Sequence, residues 1–220
     1  MPMTYFIPLR PLCLAGFCLL AACEQPPSLK EPELFTHFRP LVAADTLRVE
    51  ISEEGDSAAV QDTIPNRLFF SAIPSPFLQE IDYLADSSQA LVSGRYHFPL
   101  DDSVEAYWVE IRQFWFQHQS LLLYDKGRKQ FTGRVTLAEW YGGEGGQVLT
   151  GSWIFDFDGD GKKDILRREI QHSMTPAGDT ATERTAETAS LFLWKNGRFT
   201  NTPLQDTAAM VKRFPIRTFW

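Results

Sequence analysis

A mainly β domain, laid out as an antiparallel meander of hairpins with minor helix, is what this sequence predicts. Three observations carry that reading. From Leu91 onward, short apolar runs recur, several with strand-like alternation. Turn residues punctuate those runs: Asp125-Lys126-Gly127, the stretch Gly142-Gly143-Glu144-Gly145-Gly146, and Asn196-Gly197. Helical patterning is confined to two short segments.

Taken in order, residues 46–51 place Leu47, Val49 and Ile51 on one face and predict a strand. Residues 52–62 are acidic and small and predict a loop. Phe69, Phe70 and Ile73 read as core. Ser75 as N-cap and Pro76 at the first helical position open a short helix over 76–84, with Phe77, Ile81 and Leu84 on its apolar face. Strands follow at 91–98, 106–115, 120–124, 133–140, 148–155 and 165–172. In the second, Tyr107, Val109 and Ile111 oppose Trp108, Glu110 and Arg112. In the fourth, Val135 and Leu137 point inward, and the glycine run then breaks the sheet. Asn196-Gly197 joins 189–194 to 198–202 as a type I′ hairpin. A helical turn over 206–212 precedes the tail 214–220. Segments 121–131 and 191–200 echo each other, and two hairpins explain the echo better than a repeat. A partial propeller-like arrangement is the alternative architecture; 220 residues are too few for a complete propeller of four-stranded blades.

Composition bounds the function. The net charge of -7, with no basic stripe, argues against a nucleic-acid partner. Hydrophobic residues at 44% against 22% charged exclude a disordered acidic chain and leave a sizeable core.

The first 22 residues are not fold. Arg10 is the only charge before Cys23, and the apolar run after it is too short to span a bilayer comfortably. The run ends Leu20-Ala21-Ala22-Cys23. This segment resembles a bacterial lipoprotein signal, with Leu three residues before the Cys and small residues between. The resemblance implies removal of 1–22, diacylation of Cys23 and insertion of its acyl chains into a lipid bilayer. Glu24, in place of Asp, resembles Gram-negative lipoproteins of the outer membrane, with the periplasmic and surface faces both open. Residues 23–33 then form a Pro-rich, polar tether, and 34–220 one mainly-β domain. Cys13 and Cys18 leave with the signal. The mature chain therefore has no disulfide, which excludes a cysteine protease, a thiol redox enzyme and a Cys-ligated zinc site.

The strongest chemical signal is FDFDGDGKKDIL, residues 155–166. Asp156, Asp158, Asp160 and Asp164 fall at positions 1, 3, 5 and 9 of a loop, with Gly161 at position 6, where the chain must turn sharply. Lys162 at position 7 can offer its backbone carbonyl. Oxygen donors so spaced suit Ca²⁺, and four neighbouring carboxylates repel one another without a cation. Position 12 is Arg167, not Glu, and the flanks are strand-like, so the EF-hand pattern fails. The loop instead resembles the DxDxDGxxD calcium loop of FG-GAP or VCBS-type repeats. That resemblance implies Asp156, Asp158, Asp160, Lys162 and Asp164 as ligands, in a structural rather than signalling site over 156–164.

Trp140, Tyr141 and Glu144, beside the glycine run, form a candidate recognition rim, against a plain flexible hairpin loop as the alternative. The histidines at 37, 97, 118 and 172 lack metal-ligand spacing and read as surface or strand-edge residues. No nucleophile-elbow motif exists. The function that follows is a lipid-anchored exported protein with a structural Ca²⁺ loop, acting as a non-catalytic module that binds an envelope protein or glycan, or as an envelope-structural module. The alternative is an envelope hydrolase or glycan-processing enzyme whose site shows no motif. Exposure of Trp108, Trp115, Trp140 and Tyr141 separates the binding from the structural module.

Overall fold

The computed structural model describes residues 31–42, 44–52, 62–81, 84, 86–143, 145–178 and 180–218. The signal segment, Cys23 and Glu144 lie outside the described residues. The chain is mainly β, as expected, in a sheet of eleven strands. Its body is a meander of eight: β4 (Leu91–Pro99), β5 (Val104–Gln113), β6 (Phe116–Asp125), β7 (Gln130–Gly143), β8 (Gly146–Phe155), β9 (Asp164–Ala177), β10 (Thr180–Lys195) and β11 (Arg198–Thr202). Each pairs antiparallel with the next along one continuous path, so the propeller-like alternative is not what forms. Among the described residues no helix is long and apolar enough to cross a membrane.

Three short strands come from upstream. β1 (Arg39–Pro40) and β3 (Asp62–Ile64) flank the outer edge of β4. β2 (Leu47–Val49) pairs with Ser152–Ile154 of β8. β7 leaves that position open: it pairs with β8 only from Glu139 to Gly143, after two register shifts against β6. Such irregularities bend and twist a strand, here steering β7 away from β8 so that β2 can enter.

The central strands bury both faces. Val104, Ala106 and Trp108 of β5, with Leu121 and Leu123 of β6, join a large core with β8, β9, β10 and the tail residues Phe214 and Ile216. Tyr107, Val109, Ile111, Leu122 and Tyr124 face a second core beneath α1 (Glu31–Phe35) and α2 (Asn66–Ala72). Alternation therefore sorts residues between two cores, not between core and water. α1 begins inside the expected tether, because Leu34 is fully buried and Phe35 stacks on Tyr107 at 4.6 Å.

Other boundaries moved for physical reasons. α3 (Ser75–Gln79) is shorter than 76–84, and Pro74, not Ser75, occupies its N-cap. The expected strand 106–115 ends at Gln113, since Phe114 adopts φ 53° and turns the chain. The glycine run does not break the sheet: β7 and β8 extend into it, pairing Gly143 with Gly146. A Cβ on Gly142 would lie 2.3 Å from the Gly146 carbonyl oxygen, so only glycine allows this approach. β9 and β10 run well past 172 and 189, forming an exposed ribbon with Ala177 opposite Thr180. α4 (Thr207–Arg213) forms near the expected turn, capped by Asp206.

A meander sends alternate turns to opposite ends. One end holds the turns at 100–103, 126–129, 156–163 and 196–197. The other holds Phe114-Trp115 and the β7–β8 tip, with the β9–β10 ribbon extending beyond it. α1 meets the sheet near the first end, where Phe35 also contacts Tyr124 and Phe131.

Candidate functional site

The acidic loop joins β8 to β9. Asp156 organises it, accepting hydrogen bonds from the amides of Gly159, Asp160 and Gly161 at 2.8, 3.0 and 2.9 Å. Gly161 has φ 82°, the left-handed turn that position 6 of the motif requires. Asp164 is buried and accepts from two directions: the Phe157 amide at 2.9 Å and the Trp194 amide of β10 at 2.8 Å. Burial pushes its carboxyl above the ordinary range, and the nearby Asp158 and Asp160 charges add to the shift.

Oxygens from Asp156, Asp158 and Asp164 all lie within 4.8 Å of one another. That separation fits one Ca²⁺: two donors each roughly 2.4 Å from an ion lie no more than about 4.8 Å apart. Asp160 stands outside this group. It accepts from the Lys162 amide at 2.9 Å and faces the Lys195 ammonium at 3.5 Å. Lys195 also bonds Asp158 at 2.7 Å, and that bond lowers the Asp158 pKa and raises its own. Lys162 is half-buried beside this turn. Of the five expected ligands, three converge and two flank them.

The motif could not reveal the bracing by β10. Trp194 bonds Asp164 through its amide, while its indole Nε1 donates to Asp101 at 3.0 Å. Asp101 also accepts from Ser103 and Val104 in the β4–β5 turn. Lys163 reaches the carbonyls of Ala44 and Asp45 ahead of β2. The loop is thus tied to three other parts of the chain.

At the opposite end, Trp140 and Tyr141 are half-buried on β7, and Trp115 is 53% and Phe114 79% exposed. Trp108 is buried in the large core. Two clefts adjoin the β7–β8 tip. A small one of about 80 Å³ lies between Trp115 and Trp140. A larger one of about 280 Å³ is lined by Tyr141, Gln171 and His172. Gly142 and Gln147 line both.

A buried polar chain on the second-core side of β6 and β7 carries no sequence motif. His118 joins the Glu139 carboxylate at 3.1 Å through Nδ1 and the Ser120 hydroxyl through Nε2. Arg134 donates to His118, Ser120, Thr136 and the Glu80 carbonyl. Burial lowers the Arg134 pKa. His118 is 1% exposed, so the surface or strand-edge expectation fails for it. It sits on a central strand, where these partners satisfy its ring.

Comparison with known proteins returns no match to a family model, a curated protein or a solved structure. The class is therefore set by the fold alone: an open, mainly β sheet with an acidic loop at one end and aromatic clefts at the other.

Proposed function

We propose that this chain is an exported lipoprotein, anchored through acylated Cys23, whose sheet is stapled by Ca²⁺ in the loop 156–164 and serves as a non-catalytic binding module. The observation carrying the calcium part is the convergence of Asp156, Asp158 and Asp164 oxygens within 4.8 Å. Asp160 and the Lys162 carbonyl complete the proposed donor set. When bound, the ion supplies charge compensation and a fixed turn, and no chemistry. Asp156 and Asp164 already hold the loop's amides, so the site is organised ahead of the ion. The exposed Trp115 and half-buried Trp140 support binding over a purely structural role. The lipid anchor rests on the Leu20-Ala21-Ala22-Cys23 sequence.

Thermal melts in millimolar Ca²⁺ and in chelator test the staple. The melting temperature should rise with Ca²⁺, because only the folded loop gathers the donors. Calorimetric titration with no calcium response would end this reading. Separately, Cys23→Ala should abolish lipid labelling and membrane retention.

The hydrolase reading keeps one observation of its own: Glu139, His118 and Ser120 connect in the order of a catalytic triad. Burial weighs against it, since Ser120 is fully buried mid-strand and shares its hydroxyl with Arg134. A fluorophosphonate probe should leave the protein unlabelled, and adduct formation at Ser120 would reverse the preference.

A further inference from the structure

We infer that the smaller cleft at the β7–β8 tip, between Trp115 and Trp140, is a binding site for an uncharged saccharide. The inference rests on the binding-module reading and supplies its ligand class. Among the described residues no carboxylate, ammonium or guanidinium side chain lines this cleft. Charge therefore offers little purchase for an ionic ligand.

What this cleft offers instead is aromatic surface beside an amide. Trp115 and Trp140 border the smaller cleft. The apolar C–H face of a pyranose packs against such rings, while its hydroxyls need polar partners at the ring's edge. Gln147 is placed to provide them. Its Oε1 accepts from Trp140 Nε1 at 3.0 Å, which fixes the indole. Its Nε2 makes no hydrogen bond among the described residues. Directly across the strand pair from Trp140, the buried Oε1 of Gln117 lacks any donor. Backbone atoms are accessible too, since a Cβ on Gly143 would meet nothing within 4 Å.

Size favours a saccharide over a protein. The large exposed apolar side chains at this end, Phe114, Trp115, Leu91 and Met174, fall short of the roughly 800 Å² per partner of a stable protein interface. The site also lies at the end of the sheet opposite α1.

The test uses the full-length protein in detergent, titrated with cellohexaose, chitohexaose, laminarihexaose and xylohexaose while tryptophan fluorescence is read. At least one should give a saturable shift at millimolar concentration or below. Trp115→Ala and Trp140→Phe should each weaken that binding by about tenfold, and Gln147→Ala by a smaller factor. Trp115 is exposed and Trp140→Phe keeps an aromatic ring, so both variants should fold. A preserved calcium melting shift in each verifies this. The site assignment is overturned if all four saccharides leave the fluorescence unchanged, as a protein-docking tip would, or if they bind equally to Trp115→Ala and Trp140→Phe. Either result with an intact calcium shift refutes the saccharide site and leaves the staple standing. Saccharide binding without any calcium shift does the reverse.

Discussion

The two ends of the sheet spend their polar groups differently. At the acidic end nearly every carboxylate oxygen is engaged: Asp156 holds three amides, Asp164 two, and Asp101 braces Trp194. At the aromatic end rings stand exposed and the Gln147 amide nitrogen has no hydrogen bond among the described residues. In the proposed function, one end holds the chain and the other meets a ligand. Substitutions should therefore lower stability at the first end and affinity at the second.

The largest expected effect is Asp164→Ala. It removes the acceptor for the Phe157 amide and the buried Trp194 amide, at a cost of about 3 kcal/mol. Chemical denaturation in chelator isolates this loss from any calcium contribution. A change below about 0.5 kcal/mol would mean that the acidic end is not a structural hub.

Asp101→Ala comes next, at about 1 kcal/mol. Burial alone would raise the Asp101 pKa, but bonds from Ser103, Val104 and Trp194 hold it below the ordinary carboxylate value. A depressed pKa gives stability that is present above the unfolded value and lost as pH falls through the folded one. The gap between wild type and Asp101→Ala should thus be full at neutral pH and shrink below about pH 4. Asp164 has the opposite sign: its raised pKa favours the fold in acid and loses that contribution as pH rises.

Phe114→Gly sharpens the contrast. Phe114 holds a left-handed backbone while exposing its ring. Glycine relieves that strain but loosens the unfolded chain, so stability should change by no more than about 0.5 kcal/mol, upward. A clear drop in melting temperature would show that the tip has a structural duty.

The smallest stability effect is expected from Lys195→Met. The ammonium that faces Asp158 and Asp160 competes with a bound cation, so removing it should tighten Ca²⁺ binding in a calorimetric titration. Unchanged or weaker binding would argue that Lys195 and the ion do not share the pocket.

Sequence made some of this legible and hid the rest for definable reasons. The Asn196-Gly197 turn was readable because both residues take positive φ, 54° and 74°, as a type I′ turn demands. Aspartate spacing likewise announced the acidic loop. Hidden were the contributions from distant strands. Lys195 and Trp194 enter the loop only because β10 pairs with β9. His118, Ser120 and Glu139 meet through a bulged register between β6 and β7. The ribbon over 173–188 escaped notice because exposed Thr, Ala and Glu carry no apolar alternation; its partner strand defines it. The short strand β3 and helix α2 were missed because their apolar residues are few and read simply as core.

The entry of β2 between the diverging strands bears on how the molecule is made. Leu47 and Val49 emerge early in synthesis, yet their hydrogen-bonding partners, Ile154 and Ser152, emerge late. Closing so long a loop is entropically costly and slows folding. The hairpins from β4 to β8 contain only local pairings and can zip first. The gap beside β8 would stay unfilled until the N-terminal segment docks. With this wiring β2, early in the chain, becomes the last stitch in the sheet.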